Sequence, residues 1–477
     1  MLFPTITFAI FFLVVLPMSW LLMHRRFRWQ LFILAASYFF YGYYDWRFVF
    51  LLGGSTLVNQ FVALRIHASQ RDGVRRAWLT AGVLANLGGL AYFKYYDFFV
   101  SNATNLLARL GLGVSPTIVA VALPIGISFF TFQALSYVID VYRGTFEPRT
   151  LLEFAVYLSF FPHVVSGPIV RAAEFLPQLR ERHDPRKVDS SRAFFLIFMG
   201  LFKKVVIANF LGTNIVDVVF ANPKQHGSLE VLVAVYAYAI QIYADFSGYT
   251  DMAIGLALLL GFRFPQNFDA PYTATSLQDF WRRWHMTLSR WLRDYLYIPL
   301  GGNRNGRWRT YRNIFLTFLL GGLWHGAQWT FVVWGGIHGG FLCYEHWRQT
   351  RREAAHHHPA PDTFRGRMYR RLITFNVVCL AWVFFRADSF SNAGDVLNRI
   401  FDPSHWNQAA PLVTGGVLLA IGAGLVEQYI PRDALARTMS WFSRLPPAAQ
   451  GVTLGFVLLL TNSMGPRGVA PFIYFRF

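Results

Sequence analysis

The sequence predicts an all-α, polytopic membrane protein, and three features support this fold class. Of its 477 residues, 54% are hydrophobic and only 14% are charged, against about 25% charged residues in ordinary soluble domains. Whole windows are apolar on every helical face instead of alternating between apolar and polar positions. The basic residues lie in short clusters between these windows, as in the cytoplasmic loops of membrane proteins. We therefore expect a single integral membrane domain over residues 1–477.

Most of the apolar windows approach or exceed the roughly 20 residues that a helix needs to cross a bilayer. They are Phe3–Met23, Ala77–Phe93, Thr117–Tyr137, Val231–Leu260, Leu412–Ile430 and the shorter Gly451–Leu460. The first window has no basic region before it and no small-residue cleavage site after it. We therefore interpret it as a retained helix and not as a signal peptide.

The basic clusters orient these helices, because positively charged loops stay in the cytoplasm. With the clusters inside, both termini are predicted on the outer side of the membrane. The net charge of +19 does not indicate nucleic-acid binding, since no single contiguous basic face is predicted. Predicted spans lie at about 3–23, 30–44, 48–66, 77–99, 117–141, 193–221, 231–261, 372–386, 411–430 and 450–464.

Two segments do not resemble simple spans. Residues 151–170 contain Pro162, Gly167 and Pro168, and residues 277–302 are amphipathic and rich in arginine and tryptophan. Broken backbone at membrane depth is tolerated only where protein or a wet cavity satisfies its polar groups. The sequence therefore predicts re-entrant or interfacial segments around a central cavity.

A histidine lies among glycines in the apolar run GGLWHGA, at position 325. Glycines let another backbone or a thin substrate approach closely. Imidazole titrates near neutral pH and can act as a general base toward a hydroxyl group. His325 is a candidate catalytic base and Trp324 a candidate substrate contact, while a packed histidine with one hydrogen bond is the alternative.

A second histidine, His285, ends the stretch DFWRRWH. It is a candidate to orient His325, to bind substrate or to line a donor channel. The adjacent Arg282 and Arg283 are candidate substrate contacts, and arginines further along would suit the anionic nucleotide part of coenzyme A. An interfacial belt of aromatic and arginine side chains explains the tryptophans and arginines equally well.

Two further groups of polar residues are unusual for their positions. Asp245 and Asp251 lie inside an apolar span, where ionisable residues are costly; a buried ion pair, a substrate contact and a proton path are all open. The C-terminal tail PFIYFRF is aromatic, and its Tyr474 is either an interface anchor or a reactive hydroxyl. No spacing typical of metal ligands is present, and His356, His357 and His358 are interpreted as a solvated run.

Several of these segments together resemble the membrane-bound O-acyltransferase family, most closely its bacterial alginate O-acetylation branch. The similarity rests on FFPHVVSGPIVRAAEFLPQL (160–179), YADFSGYTDMAIG (243–255), FWRRWHMTLSRWLRDYLYIPLGGNR (280–304), GGLWHGAQWTFVVWGGIHG (321–339) and the tail at 465–477. The resemblance implies about 10 to 13 transmembrane or re-entrant helices around a funnel or tunnel. It assigns the catalytic histidine to His325 and its companion to His285.

The resemblance also implies a location, the bacterial inner membrane with both termini on the periplasmic side, and a reaction. Acetyl-coenzyme A would be the donor substrate, with no bound cofactor, and acetyl groups would pass outward to a periplasmic acetyltransferase that acts on the polymer. Tyr474 would be an acyl relay. Cellulose, peptidoglycan or teichoic acid are alternative acceptors. A transporter or channel, with His325 and the two aspartates as a relay, is the alternative from another class.

Overall fold

The computed structural model describes residues 1–113, 122–355 and 363–464, and in these ranges the regular secondary structure is helical, with no strand. This confirms the all-α prediction. The chain groups into two compact units, residues 1–190 with 256–265 and residues 191–255 with 266–477. The prediction of a single domain over residues 1–477 stays a prediction.

The first unit contains nine α-helices within its described residues. They are α1 (Ile6–Leu22), α2 (Arg26–Gly42), α3 (Arg47–Ala68), α4 (Asp72–Leu90), α5 (Tyr96–Arg109), α6 (Ile127–Tyr142), α7 (Leu151–Ser159), α8 (Phe161–Val164) and α9 (Ala172–Phe175). A π-helical turn at Ala91–Tyr95 joins α4 to α5.

Aromatic rings form the core between the first helices of this unit. Phe40 of α2 lies 5.9 Å from Phe8 of α1 and 5.6 Å from Phe161 of α8, measured between ring centroids. The opposite face of α1 is apolar as well, since 72% of Leu13 is exposed. A helix that is apolar all round is expected in a bilayer, where its outer face contacts lipid.

The second unit begins with α10 at the boundary between the units. Its helices are α10 (Ser190–Leu201), α11 (Asn209–Leu211), α12 (Asp217–Ala221), α13 (Ser228–Leu259), α14 (Leu277–Arg283), α15 (Met286–Leu292), α16 (Arg307–His325), α17 (Trp329–Ala354), α18 (Phe364–Arg386), α19 (Phe390–Phe401), α20 (Gly415–Val426), α21 (Arg432–Ser443) and α22 (Pro447–Met464). Two π-helical segments, Phe202–Ala208 and Gly212–Val216, join α10 through α12 into one continuous helical run.

Four helical runs in the described part of the chain are long and apolar enough to cross a membrane. They are Arg47–Ala68, Ser190–Ala221, Ser228–Leu259 and Phe364–Arg386. Shorter apolar helices at Ile6–Leu22, Ile127–Tyr142 and Gly415–Tyr429 accompany them. Together they confirm a polytopic membrane protein.

The predicted boundaries need correction in two places. The span predicted at 77–99 is part of a longer helical run from Asp72 to Arg109. The span predicted at 117–141 begins as a helix only at Ile127, because Gly126 has a left-handed backbone with φ of 78°; residues 114–121 lie outside the described ranges.

Both segments expected to be broken are broken. The helix that starts at Leu151 ends at Ser159, and after α8 the backbone loses its helical form around Gly167 and Pro168. In the second segment, α14 ends at Arg283, α15 starts at Met286, and His285 between them has a φ of 41°. A non-glycine residue rarely adopts this left-handed conformation, so the surrounding contacts must hold it there.

Candidate active site

The glycines around His325 allow two helices to pack backbone against backbone. A side chain added at Gly322 would clash with the carbonyl oxygen of Phe331, and one added at Gly335 would clash with that of Phe318. Small residues at such crossings let helices approach closely in membranes. Of the two expectations for these glycines, the structure shows the close approach of another backbone.

His325 ends α16 and lies against aromatic rings. Only 3% of it is exposed, and its ring centroid is 5.0 Å from that of Trp334 and 5.2 Å from that of Phe385, both edge-on. Rings packed on two sides limit rotation of the imidazole. A reacting group held in one orientation is what general-base catalysis requires.

His285 is fully buried and is held by Asn267. The Asn267 side-chain oxygen accepts hydrogen bonds from the Thr287 backbone N–H at 3.2 Å and from the Thr287 hydroxyl at 2.9 Å. Nδ1 of His285 lies 3.1 Å from the same oxygen. Because an amide oxygen only accepts, Nδ1 must carry the proton, and neutral His285 then has its lone pair on Nε2.

Trp324 links the two histidines. Its ring centroid is 4.9 Å from that of His325 and 6.2 Å from that of His285. Trp324 itself is 5% exposed. The structure therefore brings the predicted pair of histidines to one side chain in one unit, as the motifs at 280–304 and 321–339 suggest. The chemical roles of the three residues stay predictions.

A third buried histidine, His338, was missing from the predicted site. Its Nδ1 accepts a hydrogen bond of 3.3 Å from the indole N–H of Trp281. Its ring is 4.8 Å from that of Trp334, which also contacts His325. The signal for it in the sequence is the glycine-flanked GGIHG at 335–339, which repeats the pattern around His325.

The two aspartates of the α13 span form ion pairs with lysines of the π-helical segment 202–208. Lys204 pairs with Asp245, and Lys203 lies 2.9 Å from Asp251 and 3.1 Å from Glu427. The Tyr243 hydroxyl also donates to Glu427, at 2.9 Å. Of the open interpretations, buried pairing with basic residues of another segment is the one that the structure shows. Their role as substrate contacts stays a prediction.

Arg282 and Arg283 differ in their surroundings. The Arg283 side chain donates a hydrogen bond of 2.8 Å to Asp279, one helical turn earlier. The backbone carbonyl of Arg283 accepts a hydrogen bond from the N–H of Asp269, in the loop that carries Asn267. Arg282 is exposed. Arg283 therefore supports the break at His285, and Arg282 is the one available to an external anion.

Some of the predicted residues lie outside the ranges that the structure describes. Tyr474 and the tail 465–477 lie outside the described residues, as do His356, His357 and His358. Within the described ranges, no three histidine, cysteine, aspartate or glutamate side chains come together as metal ligands.

Sequence comparisons point to one family. The model of the membrane-bound O-acyltransferase family matches residues 33–385. A protein of Azotobacter vinelandii described as a probable alginate O-acetylase is 37% identical over 100% of both chains. A peptidoglycan O-acetyltransferase of Helicobacter pylori is 39% identical over 77% of this chain and 73% of its own. A teichoic acid D-alanyltransferase of Streptococcus thermophilus is 30% identical over 55% of this chain and 68% of its own.

Proposed function

The chain belongs to the membrane-bound O-acyltransferase family, and from that membership we propose that it takes acetyl groups from acetyl-coenzyme A on the cytoplasmic side of the inner membrane. The acetyl groups pass outward for O-acetylation of an exported polysaccharide such as alginate. The activity as an O-acyltransferase follows from the family, and the donor and the direction are the proposal. Its main structural support is the pair of buried histidines that meet at Trp324.

In the proposed reaction, His325 removes the proton from an acceptor hydroxyl. The hydroxyl oxygen attacks the thioester carbonyl, the carbon–sulfur bond breaks, and the coenzyme A thiolate leaves. The protonated imidazole returns its proton to that thiolate, so the products are an acetyl ester and free coenzyme A. A base with a pKa near neutral suits both proton transfers.

His285 would assist by presenting a fixed lone pair. With Nδ1 bonded to Asn267, its Nε2 accepts a proton or a hydrogen bond without a change of tautomer. The Trp324 ring, which contacts both histidines and is buried, would keep water away from that side of the site. Such exclusion protects the thioester from hydrolysis during transfer.

Alginate is proposed as the acceptor polymer because relatives that match this chain end to end are described as probable alginate O-acetylases. Peptidoglycan is the second candidate, because the Helicobacter pylori relative has a comparable identity. A periplasmic acetyltransferase would be the partner that completes transfer to the polymer. Tyr474 would relay the acetyl group to it.

Sidedness of the donor tests the proposal directly. Labelled acetyl-coenzyme A is added to sealed inverted vesicles, which expose the cytoplasmic face, and to sealed right-side-out vesicles, both containing the protein. We expect release of free coenzyme A from the inverted vesicles only. Release from right-side-out vesicles alone would overturn the proposed direction, and equal transfer of acetyl to alginate and peptidoglycan fragments would overturn the choice of alginate.

A further inference from the structure

A basic groove lies at the end of the α16–α17 pair that is distant from His325. It has a volume of about 630 Å³ and is lined by Arg307, Tyr344, Trp347, Arg348, Arg351, Arg352, Ala354 and Ala355. None of its four arginines forms a salt bridge with a residue that the structure describes. Among the described residues, the groove therefore concentrates positive charge without a carboxylate paired to its arginines.

Aromatic side chains support these arginines. The guanidinium carbon of Arg351 lies 4.6 Å from the centroid of the Trp347 ring, and the Tyr344 ring lies 5.8 Å from that of Trp347. Stacking on an aromatic face restricts a guanidinium group and leaves its N–H groups available to an anion. Planar arginines with free N–H groups are typical of phosphate recognition.

An exposed apolar side chain continues from the groove along α17. Phe341 lies one turn before Tyr344. Phe341 is 39% exposed and Tyr344 is 50% exposed. Positions 341, 344, 348 and 351 recur at helical spacing and share one face of α17. An occupant would thus find cationic groups at one end and an apolar surface below them.

We infer that this groove binds the headgroup of an anionic phospholipid, with the phosphate on the arginines and an acyl chain along Phe341. Lipid is the class of ligand that carries phosphate and long apolar chains in one molecule. The distance from His325 is consistent with a lipid as the occupant. Arg307 lies eighteen residues before His325 on the same helix, about 27 Å along the axis. A lipid has no need to reach the catalytic histidine, whereas a thioester donor does.

Native mass spectrometry of the purified full-length protein tests this inference. The protein is titrated with phosphatidylglycerol and, separately, with phosphatidylcholine of the same chain length. The test variant is the double substitution Arg348→Gln and Arg351→Gln. The charge-matched control is Arg309→Gln with Arg365→Gln, which changes two exposed arginines outside the groove.

We expect the wild type and the control to bind phosphatidylglycerol more tightly than phosphatidylcholine. Loss of two groove arginines should weaken phosphatidylglycerol binding by about thirtyfold, with little effect on phosphatidylcholine. Equal binding of the two lipids by the wild type, or equal losses in the test and control variants, would overturn the inference. A third arm adds coenzyme A: if it displaces phosphatidylglycerol and its own binding is lost in the test variant, the groove belongs to the donor.

Discussion

At the scale of single residues, one amide oxygen fixes the orientation of His285. The Asn267 oxygen receives three hydrogen-bond donors, two from Thr287 and one from His285 Nδ1. These bonds also lie next to the backbone of His285, which has a left-handed conformation although His285 is not a glycine. The side chain and the strained backbone are therefore held by the same partner.

Replacement of Asn267 by alanine should lower the rate constant of acetyl transfer by about tenfold or more, because His285 loses the bond that sets its tautomer. KM for acetyl-coenzyme A should change less. Steady-state kinetics of the purified variant measure both. Thr287→Val is the matched control, since it removes one bond to Asn267 without touching His285; an equal loss of rate in that variant would contradict the role of the histidine.

The sequence identified the histidines but not what supports them. His325 and His285 are conspicuous because ionisable residues are rare in apolar runs. Asn267 lies in a loop with no sequence pattern, and it contacts Thr287, twenty residues later, only after the chain has passed through a short 3-10 turn at Pro271–Thr273 and through α14. His338 had the same glycine-flanked signal as His325, and only its contact with Trp281 and Trp334 shows why it belongs to the site.

At the scale of helices, the packing of α16 on α17 positions His325. Gly322 and Gly335 lie where the backbones meet, and neither has room for a β-carbon. His325 ends α16, so any separation of the two helices moves it relative to Trp334. The sequence predicted close approach at these glycines, but could not say that the approaching group is the next helix.

Gly335→Ala should destabilise the protein by about 1–3 kcal/mol, because the methyl group would overlap the Phe318 carbonyl and force the helices apart. Acetyl transfer should fall as well. Thermal unfolding in detergent and the transfer rate are the measurements. Gly340→Ala, five residues along the same helix, meets no atom within 4 Å. If both substitutions have the same effect, helix propensity and not packing is the cause.

A second helix contact depends on charge. Lys203 lies in a π-helical segment and forms ion pairs with Asp251 and Glu427, which come from two other helical segments of the unit. A buried carboxylate that loses its cation keeps the cost of its removal from water. The sequence showed Asp251 inside the α13 span, but its partner Lys203 lies 48 residues earlier in the chain. Only the fold shows that these two side chains are paired.

Lys203→Met should therefore reduce the free energy of unfolding by about 3–5 kcal/mol. The matched control is Lys224→Met, which breaks an ion pair with Asp395 whose lysine is 73% exposed and should cost less than about 1 kcal/mol. Denaturation midpoints of both variants in the same detergent give the comparison. A cost for Lys203→Met no larger than that of the control would show that the cluster contributes little.

At the scale of the whole molecule, composition and charge clusters were sufficient for the fold class. Apolar windows predict helices well because a bilayer requires every backbone group to be paired within its own segment. Boundaries were less predictable, as at Gly126, because one backbone angle decides where a helix can begin. The grouping into two units was not predicted, because hydropathy marks the spans and not the contacts between them.

The proposed relay belongs to this scale, because it connects the membrane reaction to a partner outside. Tyr474→Phe removes the hydroxyl that would carry the acetyl group, and we expect loss of polymer acetylation in cells. Tyr369→Phe is the control, as its exposed hydroxyl lies at the start of α18. Acetate released from the polymer measures its acetylation in cells that carry each variant. Unchanged acetylation in the Tyr474 variant removes the tyrosine from the route.

The most direct test of the account is the acetyl-transfer rate from labelled acetyl-coenzyme A, compared between wild type and His325→Ala at matched expression and folding. His24→Ala, at an exposed histidine of the α1–α2 turn, is the control. We predict that His325→Ala loses at least about a hundredfold in rate, as expected for a missing general base, and that the control keeps the wild-type rate. Equal rates in wild type and His325→Ala would contradict the assignment of His325 as the catalytic base.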